Sequence, residues 1–202
     1  MSFFPPDPEM PEPDDEGESS TPRWWGAPED ELPALAPISE LLASTEHVAI
    51  ALIGVAVYRE GVEFRLERRL RRRGLTSREW QELCGTFMEH HSWGGPPDTD
   101  SRLKVGLVLG DGEKVLENLP HFGGDDPTAE PQGHVLTRRS GGGGGGSGFY
   151  AGSDSLWLWP SPPAGPIEFV LQWTALGIPE QRTILDGAEL ASAAERSQPF
   201  WP

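Results

Sequence analysis

The most regular pattern in the chain is a strict alternation from Val62 to Arg71. Val62, Phe64, Leu66, Arg68 and Leu70 fall on one side, and Glu63, Arg65, Glu67, Arg69 and Arg71 on the other. A period of two is that of a strand with one buried and one wet face. The run before it, VAIALIGVAVY over 48–58, is apolar. Arg59-Glu60-Gly61 between the two reads as a hairpin turn with Gly61 in the left-handed conformation. From Leu75 to His91 the period changes. Thr76 and Glu79 have the spacing of a capping box, and Trp80, Leu83, Cys84, Phe87 and Met88 recur as one helical stripe.

Two more hairpins follow from turn chemistry. RLKVGLVL and EKVLENL, within 102–119, flank Gly110-Asp111-Gly112, where Asp-Gly is a strong turn signal. In Ser155–Gly177, Leu156, Trp157, Leu158 and Trp159 alternate. Pro160, Pro162, Pro163, Gly165 and Pro166 break the chain, and Ile167, Phe169, Leu171 and Trp173 then share a face. Three tryptophans are a large apolar load, so this hairpin is expected to form the core, with Trp173 inside. If Trp157 and Trp159 face outward, Trp24-Trp25 or Trp201 should cover them in part and leave a shallow groove.

The remaining segments read more simply. Pro28–Pro37 should run extended, and Ile38–Ala43 fits a helical turn or a short strand. Val135–Thr137 suggests a short strand, Gly141–Gly146 a flexible loop, Ile178–Leu185 a last strand and Ala188–Arg196 a terminal helix, with Phe200 and Trp201 tucked back on the body. Seven or eight short strands in antiparallel hairpins, without βαβ alternation, predict a mainly β protein. The expected architecture is an antiparallel immunoglobulin-like β-sandwich with one middle helix and one C-terminal helix. The Cys and Trp spacing of true immunoglobulin domains is lacking, so the expectation concerns shape alone.

Composition narrows the functions. The formal charge is −16 over 202 residues, which argues against nucleic acid and anionic lipid as partners. Residues 1–22 are proline-rich, with seven Asp or Glu and no Lys or Arg, and are expected to be a disordered acidic tail. That leaves 23–202 as a single β-sandwich domain. Cys84 is the only cysteine, so no internal disulfide is possible. There is no signal-like start and no apolar run long enough to span a bilayer, which predicts a cytoplasmic protein; a monomer or weak homo-oligomer is expected.

The set RWWGAPEDELP, VYREGVEF, VGLVLGDGEKV, the glycine run, LWLWPSPPAGPIEF and WTALGIPE resembles an uncharacterised family of cytoplasmic proteins from high-GC bacteria. The likeness covers Arg23 to the C-terminus. The family has no assigned activity, so the resemblance implies one β-rich domain and carries over no functional residue.

Candidate chemistry is sparse. Cys84 with His90 and His91 lacks the fourth ligand and paired spacing of a structural zinc site, and a stripe position does not suit a nucleophilic thiol. Ser147 in GGSG lacks the setting of a nucleophile elbow. The glycine run has no P-loop lysine. Asp98, Asp100, Asp125 and Asp126 match no calcium loop. No catalytic residue, cofactor or metal is therefore assigned. The expected function is a non-catalytic protein-interaction module with a protein partner. Trp157, Trp159, Arg65, Arg69 and Arg71 are its candidate contact residues, the arginines as a strip for an acidic partner or for the chain's own acidic tail. The alternative is an enzyme with a loop-borne site near His121, Asp125, Asp126 and Gly141–Gly146. An open strand edge or flat apolar patch favours the first, and a deep pocket with a strongly shifted carboxyl or histidine favours the second.

Overall fold

The structure of the protein is a computed structural model and describes residues 21–88, 101–118 and 129–201. The tail 1–20, His90, His91, Asp98, Asp100, His121, Asp125 and Asp126 lie outside the described residues. In chain order the elements are β1 (Glu31–Leu32), β2 (Ala34–Ala36), β3 (Glu40–Ser44), β4 (Val48–Val57), β5 (Val62–Arg71) and α1 (Ser77–Phe87). Then come β6 (Lys104–Val108), β7 (Lys114–Asn118), β8 (Val135–Gly145), β9 (Phe149–Trp159), β10 (Ile167–Trp173), β11 (Ile178–Leu185), α2 (Gly187–Ala194) and β12 (Gln198–Pro199).

The alternating segment pairs with the apolar run before it, from Val48 opposite Leu70 to Val57 opposite Val62. Its inward residues, Arg68 included, are buried. Gly61 closes the turn, with the Tyr58 amide donating to its carbonyl at 2.9 Å, but it is not among the positive-φ glycines. Its requirement is space: a Cβ there would stand 2.6 Å from the Leu158 carbonyl oxygen and closer still to the Trp157 ring.

Ten strands make one sheet in the order β11-β10-β6-β7-β8-β9-β5-β4-β2, with β3 also paired to β4; β1 and β12 form a separate short ladder. The pairings are antiparallel except β7 with β8, which run parallel over Glu117–Leu136 and Asn118–Thr137. The sheet curls. Phe64 on β5 meets Phe169 on β10 edge to face at 5.8 Å, although the two strands lie far apart in the order, and β11 comes up against β3. The protein is thus mainly β and sandwich-like, with two α-helices among the described residues. The immunoglobulin-like part of the expectation finds no support in a sheet that is continuous and mixed.

The expected tryptophan hairpin is not one. β9 lies between β8 and β5, and β10 between β6 and β11. The proline-rich link 160–166 carries the chain from one half of the sheet to the other. Alternation marks which face of a strand is buried and says nothing about its neighbour. A seven-residue link rich in residues without an N–H suits a crossing better than a tight turn. Trp173 is fully buried as expected; its Nε1 donates to the Ser101 carbonyl at 2.9 Å and its ring stacks on Phe87 at 5.7 Å.

Phe87 comes from α1, which docks through Trp80 and Phe87. The capping box is complete: the Glu79 amide donates to Thr76 Oγ1 at 3.3 Å and the Thr76 amide to Glu79 Oε2 at 2.8 Å. Hydrogen bonds from the Thr76 side chain and backbone hold the Glu79 carboxyl below its ordinary value. α2 is capped by Asp186, whose Oδ1 accepts from the Ala188 amide at 2.9 Å. Among the described residues no helix is long and apolar enough to cross a membrane.

Candidate strand-addition surface

β9 buries both faces at its C-terminal end. Leu156 and Leu158 enter the main core, while Trp157 and Trp159 point the other way and form a second cluster with Ala56 and Tyr58. The expected aromatic groove is closed. Trp157 is 3% and Trp159 9% exposed, because residues 22–27 lie over them. Trp24 sits 5.9 Å from Trp159, Trp157 Nε1 donates to the Arg23 carbonyl at 2.8 Å, and Thr137 Oγ1 donates to the Trp24 carbonyl at 3.2 Å. The chain's own segment occupies the surface that these two tryptophans were expected to offer a partner. Trp201 takes no part in the cover; it is exposed beside Phe200.

The cover ends at Gly26, which packs against the Arg139 guanidinium so closely that a Cβ would stand 2.6 Å from Cζ. Beyond it, the same outer face of β8, β9 and β5 continues uncovered by any described segment. The register sets Arg139, Ser155 and Arg65 in one row, Gly142, Ser153 and Glu67 in the next, then Gly144, Ala151 and Arg69, and finally Phe149 beside Arg71. The floor is Gly, Ser and Ala, and the β5 arginines form its wall. Arg65 pairs with Glu63 at 3.0 Å. Arg69 pairs with Glu67 and lies 5.9 Å from the ring of the half-exposed Phe149. Arg71 Nε donates to the Glu46 carbonyl at 2.7 Å. The strip predicted at Arg65, Arg69 and Arg71 is therefore one continuous face, interleaved with its own carboxylates.

The glycine run is a strand, which corrects the flexible loop expected there. Gly142 to Gly145 pair with Ser153 to Tyr150, after a bulge at Gly141 that puts Gly142 at φ 99°. Glycine has little strand propensity of its own; here the partner strand imposes the conformation, and a Cβ on Gly143 would meet the Ala151 carbonyl at 2.6 Å. The Gly146 amide donates to the Phe149 carbonyl at 2.7 Å. By the alternation of an antiparallel ladder, Gly144 then bonds to β9, while Gly143 and Gly145 aim N–H and C=O at the opposite edge. On that edge β7 pairs only with Leu136 and Thr137. Along Gly141–Gly145 that edge, away from β9, has no described strand beside it.

On the inner side sits a group whose significance sequence reasoning missed. Arg68, in the apolar face of β5, has Nε 2.6 Å from Asp154 Oδ2, and its Nη1 donates to the Phe87 carbonyl at 3.1 Å. Its guanidinium lies 5.2 Å from the Phe87 ring and 5.5 Å from that of Trp173. The signal was present: a charged residue in each of two apolar alternations, Arg68 with Leu66 and Leu70, and Asp154 with Leu156 and Leu158.

Cys84 is half-buried on α1, and burial pushes its thiol above the ordinary value. Little thiolate is present near neutral pH, and the thiolate is the reactive form. Labelling by an aromatic disulfide reagent at pH 7 should be slow in native buffer and fast in denaturant. Equal rates would contradict this placement. Among the described residues no three His, Cys, Asp or Glu side chains converge as a metal set. The grooves among the described residues include one of about 290 Å³ over Gly106 between Leu116 and Val170 and one of about 310 Å³ between α1 and Leu176. The shifted Glu79 at the second belongs to the helix cap. No family model, curated protein or solved structure matches the chain.

Proposed function

We propose that the protein is a non-catalytic interaction module that takes an extended segment of a partner protein as an added strand on the glycine edge of β8. The observation that carries this is the outward pairing phase of Gly143 and Gly145 on an edge that no described strand borders. Edge strands are ordinarily guarded by lysine, proline or a covering element. Gly141–Gly145 has no side chain to keep another backbone away, and main-chain bonding to such an edge is a common source of peptide affinity. The run lies in a strand, and not in the flexible loop that the rival enzyme reading supposed.

Eight-residue peptides selected from a random display library against the full chain supply the test. In hydrogen exchange followed by NMR, a bound peptide should slow the Gly143 and Gly145 amides. N-methylation of the peptide amides of one pairing phase should abolish binding, while methylation of the other phase should leave it. Binding indifferent to N-methylation at both phases, or protection confined to other residues, would reject strand addition.

A further inference from the structure

Resting on strand addition at β8, we infer that the partner segment is acidic, with Asp or Glu at alternate positions. The chain as a whole carries −16 and repels acidic segments. The outer face departs from that balance, presenting Arg65, Arg69, Arg71 and Arg139 against Glu63 and Glu67. An added strand points every second side chain over this face. Those side chains first cross Gly142 and Gly144, which have none, and then Ser153 and Ala151.

The spacing suits a carboxylate. A strand beyond β8 lies three strand separations from β5, about 14 Å, a gap that an arginine and a glutamate stretched toward each other close. Arg139, on β8 itself, is one separation away and exposed. Pairing with Glu63 and Glu67 does not exhaust the wall, because a guanidinium carries five N–H donors and takes a carboxylate in a forked geometry. Phe149, with Arg69 over its ring, closes the floor at the end where the β8–β9 hairpin turns.

The probes are two acetylated, amidated octapeptides, one alternating Val with Glu and one alternating Val with Lys, titrated into the full chain. The Glu peptide should bind at least about fivefold more tightly at low ionic strength, since several exposed ion pairs of modest strength add up. The preference should fade as salt rises to about 0.5 M. The double variant Arg69→Glu with Arg139→Glu, on exposed positions, should reverse the preference toward the Lys peptide. Equal binding of both peptides, still abolished by N-methylation of one pairing phase, would overturn the acidic partner and leave strand addition standing. A Glu preference indifferent to N-methylation would leave the arginine face standing and overturn strand addition. Binding of neither peptide would overturn both, and tighter binding of an eight-residue oligothymidylate than of the Glu peptide would overturn the acidic peptide as occupant.

Discussion

Asp154→Ala should lower the free energy of unfolding by about 3–5 kcal/mol, the range for removing one partner of a buried ion pair. The Asp154 side chain is 2% and that of Arg68 8% exposed. Without the carboxylate, the guanidinium stays in the core beside the rings of Phe87 and Trp173, with Nη1 still donating to the Phe87 carbonyl. Domains of this kind have about 5–15 kcal/mol in total, so the single variant should sit near the limit of folding. Replacing both partners, Arg68→Met with Asp154→Leu, should recover most of the loss, because it removes the stranded charge along with its desolvation. Denaturant melts of the two singles and the double decide this. A double variant as unstable as the sum of the singles would mean no coupling between Arg68 and Asp154, and would overturn the reading that each is held in the core by the other.

Trp173→Ala should cost about 3–5 kcal/mol, as for other fully buried aromatics. Its ring is the meeting point of β10, α1 through Phe87, and the Ser101 carbonyl, and a void there is walled by sheet and helix on every side. Trp157→Ala and Trp159→Ala should each cost less. Their cluster lies outside the main core, under residues 22–27, and a short covering segment can settle into the space left behind, which reduces the cavity part of the loss. Equal midpoint shifts in denaturant for the three variants would mean that the outer layer is as rigid as the core.

Local chemistry was legible in the chain and neighbour choice was not. The β4–β5 hairpin, the capping box on α1, the Asp-Gly turn before β7 and the bounds of β11 all follow from residues a few positions apart. The separation of β9 from β10 could not be read this way, because both strands have sound alternation and nothing in either names its partner. The glycine run misled for a related reason. Its conformation is held by β9, and propensity carries no trace of a constraint imposed from the neighbouring strand. Of the candidate contact residues, Arg65, Arg69 and Arg71 were placed correctly on a wet face by parity. Trp157 and Trp159 were correctly set opposite the leucines, but how completely Trp24 covers them depends on the path of a segment that has no periodicity. Asp154 shows a signal available and unused: parity alone put a carboxylate into the core, where a buried charge requires a partner.

The parallel step between β7 and β8 makes the sheet mechanically uneven. On one side of it the strands from β11 to β7 are laced by antiparallel ladders, and so are those from β8 to β2 on the other. Among the described residues, the pairing between these two panels is two residue pairs, with the Arg138–Glu117 bridge at 2.9 Å beside them. Each panel resists shear through long ladders, whereas the seam has only two described residue pairs to share the load. Strain on the sheet should therefore concentrate there, with the rings of Phe64, Phe169, Phe87 and Trp173 carrying the load face to face across the core. β8 is the selvedge of one panel along this seam, so the strand with the exposed glycine backbone is also the strand that feels any slackening between the two halves first.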